Sequence, residues 1–359
     1  MRHLTITRAC CFRYRLPLDP PLPSVDGPLS ERRGLLLRLT ADNGATGWGE
    51  AAPLPGFSRE SRADAEAALR RAAGEMQGHV YADPSTEEET VPEGESPSVQ
   101  FAVESALLEL HAATQDRSIP ALFGATQDHI RLNALIPSDT ADVRRAAERL
   151  WADGYRTLKL KVGRRSVPED VQRVHVLAEV VGAEGQIRLD ANRAWSVAEA
   201  EQFADALGDV PLEYVEEPLA DPSALSAFAV RTGLPVAIDE TTRECTPDEL
   251  GAFVPMAGVV LKPTLLGGIR TVRRWGAAAR AQDATLVVTG AYESGVGLRM
   301  LAALAAALTD APAGLLTYDR LGDDVLRPRL SMGPTVHVAQ AYDSVVDEAR
   351  LTPIDDPDD

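Results

Sequence analysis

The stretch TLKLKV, residues 157–162, sets Lys159 and Lys161 one residue apart inside a run that otherwise reads as a buried β-strand. Strand alternation puts Thr157, Lys159 and Lys161 on one face and Leu158, Leu160 and Val162 on the other. An ammonium loses much hydration energy on entering an apolar core, so the lysine face must meet a polar cavity. The composition sharpens the point. Of the 36 basic residues only Lys159, Lys161 and Lys262 are lysines, the rest being arginine. Arginine stays protonated at any working pH, while burial and neighbouring cations can pull a lysine pKa down from about 10.4. Lysines kept in an arginine-rich chain therefore suggest proton transfer; the alternative is chance, and their positions must decide.

From residue 130 onward, short β-rich runs alternate with amphipathic helical segments. The runs are RLNALI, TLKLKV, QIRLDA, LEYVEEP, PVAIDE, GVVLKP, TLVVTG and GLLTYD. Eight strands joined by helical crossovers predict a parallel sheet closed into a (β/α)8-type barrel. Successive strands carry ionisable groups near their C-terminal ends: Lys161, Asp190, Glu216, Asp239 and Lys262, at steps of 29, 26, 23 and 23 residues, each one strand-helix unit long. These five side chains are expected to form one ring at the end of the barrel where such folds place their chemistry.

Three carboxylates in one ring repel unless a cation lies among them. An all-oxygen donor set without His or Cys suits magnesium better than zinc. Asp190, Glu216 and Asp239 are thus the expected ligands, with manganese able to substitute, and parity prefers Glu216 over Glu217 and Asp239 over Glu240. Lys161 and Lys262 flank the carboxylates in strand order and face each other across a closed barrel, which fits two proton-transfer groups around a small carboxylate substrate. Arg188 shares the parity of Asp190. It suits either a substrate anion or a barrel carboxylate. Any one of these residues alone would read as an ordinary strand-end ion pair; the shared parity and spacing single out the set.

The remaining composition narrows the class. A formal net charge of −18 argues against nucleic-acid and membrane-surface partners, which select basic patches. No apolar run approaches the roughly 20 residues of a membrane span, and the N-terminal MRHLTITRACCFRYRLPL alternates like a strand. Cys10, Cys11 and Cys245 are an odd set without zinc-like spacing, in keeping with a reducing, cytoplasmic setting. The six histidines are scattered and read as structural or surface residues. Oligomeric state is not encoded in any of these features.

Three regions are expected: an α+β capping domain at 1–97, the barrel at 98–320, and a C-terminal segment at 321–359 that packs back on the cap and ends in a frayed DDPDD tail. Asn43-Gly44 signals a hairpin, SRADAEAALRRAAGEM a helix, and residues 84–98 an acidic linker.

The ordered series KLK, LDAN, VEEP, AIDE and LKPTLLGG resembles the enolase superfamily, in its muconate-cycloisomerase-like branch with two active-site lysines. The resemblance covers most of the chain and implies a modified, (β/α)7β barrel beneath an α+β cap. GWGEAAPLPGFSRES, IRLDANRAW and TGAYESGVGL make it most similar to the menaquinone-pathway dehydratases of that branch. That likeness implies a magnesium-dependent lyase converting 2-succinyl-6-hydroxy-2,4-cyclohexadiene-1-carboxylate to 2-succinylbenzoate by syn elimination through an enediolate.

By the same likeness, Lys161 removes the α proton and returns it to the departing hydroxyl. Lys262 stabilises the enolate from the opposite face, and Lys159 lowers the pKa of Lys161 and helps hold the substrate. Thr289 and Gly290, with backbone amides near Ser294, would receive the succinyl arm, and cap loops at 19–33 and 53–58 would close the mouth. Rival reactions on this scaffold are N-acylamino acid racemisation, dipeptide epimerisation and muconate cycloisomerisation. An epimerase of this type carries an Asp-x-Asp pair on the eighth strand, where this chain has Asp319 and Leu321. A Schiff-base aldolase barrel is a further rival, which borohydride trapping would expose.

Overall fold

A computed structural model describes residues 4–23, 27–81, 96–125, 127–137 and 139–354. The expected acidic linker, apart from its last three residues, and the DDPDD tail lie outside the described residues.

The chain opens with antiparallel strands β1 (Leu4–Leu22), β2 (Leu29–Ala41) and β3 (Thr46–Ala51), with the short β4 (Val80–Tyr81) also on β1. The β2–β3 turn is the one signalled by Asn43-Gly44: Asn43 Oδ1 accepts from the Ala45 amide at 3.0 Å, and Gly44 takes φ +83°. Helix α1 (Arg62–Met76) starts in a capping box between Ser61 and Asp64. Helix α2 (Pro97–Gln115) is buried on two sides. Its Ala102 and Ala106 join the core under the cap sheet, while Phe101 and Leu108 join the main core of the barrel. It therefore belongs to both layers.

After α3 (Ile119–Leu122), the first expected barrel run divides. β5 (His129–Arg131) leaves the barrel to pair with Thr335–His337, and β6 (Ala134–Ile136) begins the parallel sheet. There follow α4 (Val143–Ala152), β7 (Thr157–Lys161), α5 (Val167–Val181), β8 (Gln186–Asp190), α6 (Val197–Leu207), β9 (Tyr214–Glu216), α7 (Leu225–Thr232) and β10 (Val236–Ile238). Two 3₁₀ turns replace the next helix before β11 (Gly258–Leu261), which leads through α8 (Pro263–Leu266) and α9 (Gly268–Ala281) to β12 (Thr285–Val288) and α10 (Gly295–Leu308).

The seven strands β6 to β12 run parallel in chain order. The eighth expected strand, GLLTYD, is corrected by the structure. Only Ala313 and Gly314 bridge, to Leu132 and Thr289, and Leu316–Arg320 turns into a 3₁₀ helix. Pro312 has no amide to donate to a ladder, so pairing begins only after it. Those two residues still close the circle, because Ala313 exchanges backbone hydrogen bonds with residues 131 and 133, and Gly314 with residues 288 and 290.

Cap and barrel share buried polar joints. Glu50 on β3 accepts from the Ser294 amide at 2.8 Å, the Ser294 hydroxyl at 2.5 Å, the Gly297 amide at 2.8 Å and the Tyr14 hydroxyl. Glu109 of α2 receives a bidentate pair from Arg299 of α10 at 2.7 and 2.6 Å. The C-terminal segment returns to the cap, where Thr352–Pro353 adds to β1 on the edge opposite β2, and Leu321 bridges Leu18.

Candidate active site

The alternation that splits TLKLKV sends Leu158 and Leu160 into the helix layer, both with no exposed surface, and leaves the lysines in the lumen. In-register pairing then aligns the strand ends: Lys161 lies opposite Asp190, and Asp190 opposite Glu216. Glu216 pairs with Ala237, two residues below Asp239, and Lys262 follows the end of β11.

The side chains converge. Lys159 Nζ lies 2.8 Å from Asp190 Oδ2 and 2.8 and 2.7 Å from the two Glu216 oxygens. Lys161 Nζ donates to Asp190 Oδ2 at 2.7 Å and to Asn192 Oδ1. Across the lumen, Lys262 Nζ donates to Asp239. All three carboxylates are buried.

Burial and charge compete at every member of this set. Loss of water raises Glu216 well above the usual carboxylate range, and repulsion from Asp190 adds to it against the pull of Lys159. Burial works the same way on Asp190, but Lys159 and then Lys161 outweigh it and hold that carboxyl low. At Asp239 burial is outweighed by Lys262. Burial opposes the charge of Lys159, yet Asp190 and Glu216 keep it protonated far above the ordinary range. Lys262 is likewise held up against burial, chiefly by Asp239 and Glu216.

Among the described residues, no three His, Cys, Asp or Glu side chains stand at the spacing of a formed metal cage. Lys159 instead bridges Asp190 and Glu216, while Lys262 pairs with Asp239. The donor chemistry nevertheless fits a hard divalent ion: all donors are carboxylate oxygens at adjacent strand ends, and the repulsion that raises Glu216 would be relieved by a cation.

The neighbours of the ring explain its shape. Glu217, at φ +42°, turns away from the lumen and accepts from the amides of Asp239 and Thr241 at 2.9 and 2.7 Å and from Arg193 Nε at 3.0 Å. It fastens the ends of β9 and β10 together. Asn192, also at positive φ, receives Lys161 on its carbonyl and donates to Glu240 at 3.0 Å. Neither role was assigned from sequence, although Asn192 lies only two residues beyond Asp190.

Arg188 takes the second of the two roles its parity allowed, that of a partner to a barrel carboxylate. Its parity is inward, but it lies a layer deeper, fully buried. It donates to Glu213 at 2.8 and 2.9 Å, to Asn133 Oδ1 at 2.9 Å and to the Pro312 carbonyl at 2.7 Å. It thus builds the barrel floor with a carboxylate partner, and every nitrogen of its guanidinium is engaged there.

Thr289 and Gly290 follow β12 at the same end as the ring, and the Thr289 hydroxyl donates to Gly314 O at 2.8 Å. The amides expected beside them are already engaged: Ser294 and Gly297 donate to Glu50, Gly295 to Asp324 and Ala291 to Glu293. Above, Arg32 bonds the carbonyls of Ala52, Pro53 and Tyr292, and Arg243 donates to Phe57 O at 2.8 Å, so the 53–58 loop is tied to barrel loops. In the 19–33 segment, residues 24–26 lie outside the described residues. The cap loops line a partly open cavity of about 550 Å³, with Leu29, Arg32, Pro53, Leu54 and Arg59 in its wall. A second cavity of about 410 Å³ opens at the barrel floor beside Glu213 and is lined by none of the ring residues.

Comparison with known proteins adds the lineage. Residues 142–338 match the family described as "Enolase C-terminal domain-like", and residues 6–110 match "MenC, N-terminal domain". The chain is 35% identical over 308 residues to an o-succinylbenzoate synthase of Citrobacter koseri, covering 83% of this chain and 86% of that one. It is 33% identical over 326 residues to a synthase of the same name from Salmonella paratyphi B, covering 88% and 92%. Among solved structures it resembles an N-succinyl Arg/Lys racemase from Bacillus cereus, with TM-score 0.80, 21% identity and 96% of each chain covered. A dipeptide epimerase from Cytophaga hutchinsonii, complexed with Mg and D-Ala-L-Val, also gives 0.80 at 21% identity, covering 98% and 99%. At such identities these two structures speak for the fold.

Proposed function

This chain belongs to the o-succinylbenzoate synthase family of the enolase superfamily, and from that premise we propose that its ring of lysines and carboxylates dehydrates 2-succinyl-6-hydroxy-2,4-cyclohexadiene-1-carboxylate to 2-succinylbenzoate. The enzyme is a carbon–oxygen lyase. Asp190, Glu216 and Asp239 would hold one divalent ion, magnesium or manganese in its place, whose charge binds the substrate carboxylate and makes its α proton more acidic.

Lys161, as the free amine, accepts the proton from the ring carbon that bears the carboxylate, and the C–H electron pair moves onto that carboxylate as an enediolate. The pair then returns to form the new ring double bond, the C–O bond to the hydroxyl breaks, and Lys161 gives the same proton to the departing oxygen, releasing water. Lys262, on the opposite side of the lumen, places a fixed positive charge against the enediolate. Lys159 supplies further charge beside Lys161. Thr289 and Gly290 would flank the succinyl arm. We also place the reaction in the cytoplasm, with which the absence of a disulfide among Cys10, Cys11 and Cys245 agrees.

The observation that carries this reading is the placing of two lysines on opposite sides of three buried carboxylates, each lysine bonded to a different carboxylate. The test is loss of the cyclohexadiene absorbance with magnesium present, after chelation, and in Lys161→Arg. Chelation should abolish turnover, and magnesium should restore it. Lys161→Arg should lower turnover by about a thousandfold, since arginine keeps the charge but cannot accept the proton. Full activity in that variant would remove Lys161 from its role.

A further inference from the structure

Six large apolar side chains stand exposed among the described residues, and Leu135 alone of them lies on a barrel strand. It is 42% exposed, between Ala134 at 0% and Ile136 at 1%. Register shows where that surface points. Leu135 pairs with Lys159, which pairs with Arg188, and both of those side chains run into the lumen. Asn133, two residues earlier and of the same parity, meets Arg188 there. Ala134 and Ile136 take the other face and join the core beneath the helices. The open surface of Leu135 therefore faces the barrel cavity rather than the outside of the molecule.

The five groups of the ring, Lys161, Asp190, Glu216, Asp239 and Lys262, are all charged, so the apolar surface of Leu135 beside them gains from a ligand that covers it. The substrate assigned above has polar groups at its carboxylate, hydroxyl and succinyl arm. Its hydrocarbon ring is the part that leucine can cover. Leu135 stands on the strand next to the one bearing Lys161, and Lys161 must reach a carbon of that same ring.

Resting on the dehydratase reading, we propose that Leu135 is a specificity-determining residue that packs against the hydrocarbon ring of substrate and product. The contact should favour six-membered carbocyclic acids over substrates that bring a polar group to this wall.

Leu135→Asn, close to leucine in size, and Leu135→Met, which keeps an apolar surface, test it. For Leu135→Asn, KM for the cyclohexadiene and the dissociation constant of 2-succinylbenzoate, measured by calorimetry with magnesium chloride, should both rise about tenfold, with kcat within about threefold of wild type. Leu135→Met should restore both constants to within about twofold. Should asparagine disturb the fold by circular dichroism, Leu135→Ala replaces it, with the same rise expected. Unchanged KM and product affinity in the asparagine or alanine variant would overturn the proposal. So would a methionine variant as impaired as the asparagine one, which would mark a purely steric role. Absence of wild-type turnover would instead sink the dehydratase reading on which the proposal stands.

Discussion

Buried beside Asp190 and within the field of Asp239, Glu216 carries a carboxyl raised well above the usual range, first by loss of water and then by its neighbours' charge. The folded chain thus binds this proton more tightly than the unfolded one. Stability contributed at this residue is present below the ordinary value of 4.5 and is lost as pH rises through the raised folded value. Metal-free Glu216→Gln should therefore be more stable than wild type at pH 7.5, by about 1–3 kcal/mol, with the gap closing toward pH 4.5. Thermal melts in chelator across that range check this, and a wild type more stable at neutral pH would contradict it. The same variant should lose magnesium-dependent turnover. At this scale the sequence was legible in direction but not in depth. Alternation said that Arg188 and Asp190 both point inward, yet nothing in the local pattern said that Arg188 would meet Glu213 below while Asp190 met the lysines above.

Between elements, β3 approaches α2 backbone to backbone. A Cβ at Gly49 would run into the carbonyl oxygen of Ala102, and one at Gly47 into that of Ala106. Two glycines on one strand face, against two alanines one helical turn apart, let backbone meet backbone. Gly49→Ala should destabilise the protein by about 3 kcal/mol, measured by urea unfolding, because neither contact atom is a flexible side-chain end. An alanine variant as stable as wild type would show that α2 can back away from the sheet. The motif GWGEA supported the family resemblance but not this contact, since a strand does not reveal which helix will cross it. The barrel strands were legible through their repeating β-helix pattern. The eighth was not, because two bridging residues leave too short an imprint and the alternation of GLLTYD continues into a 3₁₀ turn.

Across the whole molecule, cap and barrel are joined by side chains far apart in sequence, which explains why none of these joints could be read in advance. The Glu109–Arg299 pair links α2 to α10 with both partners nearly out of water. Glu109→Ala leaves the guanidinium of Arg299 buried without its carboxylate and should cost about 3–5 kcal/mol. Because α2 contributes to both cores, the loss should appear as a shift of one cooperative transition seen equally by near- and far-ultraviolet circular dichroism; a separately melting cap would contradict that coupling. The return of Thr352–Pro353 to β1 has a consequence for biogenesis. β1, translated before the barrel, waits for this edge partner until all the barrel strands have followed it. A nascent chain stalled after the barrel would carry β1 with that flank bare, a ready target for chaperones or for the strands of another molecule.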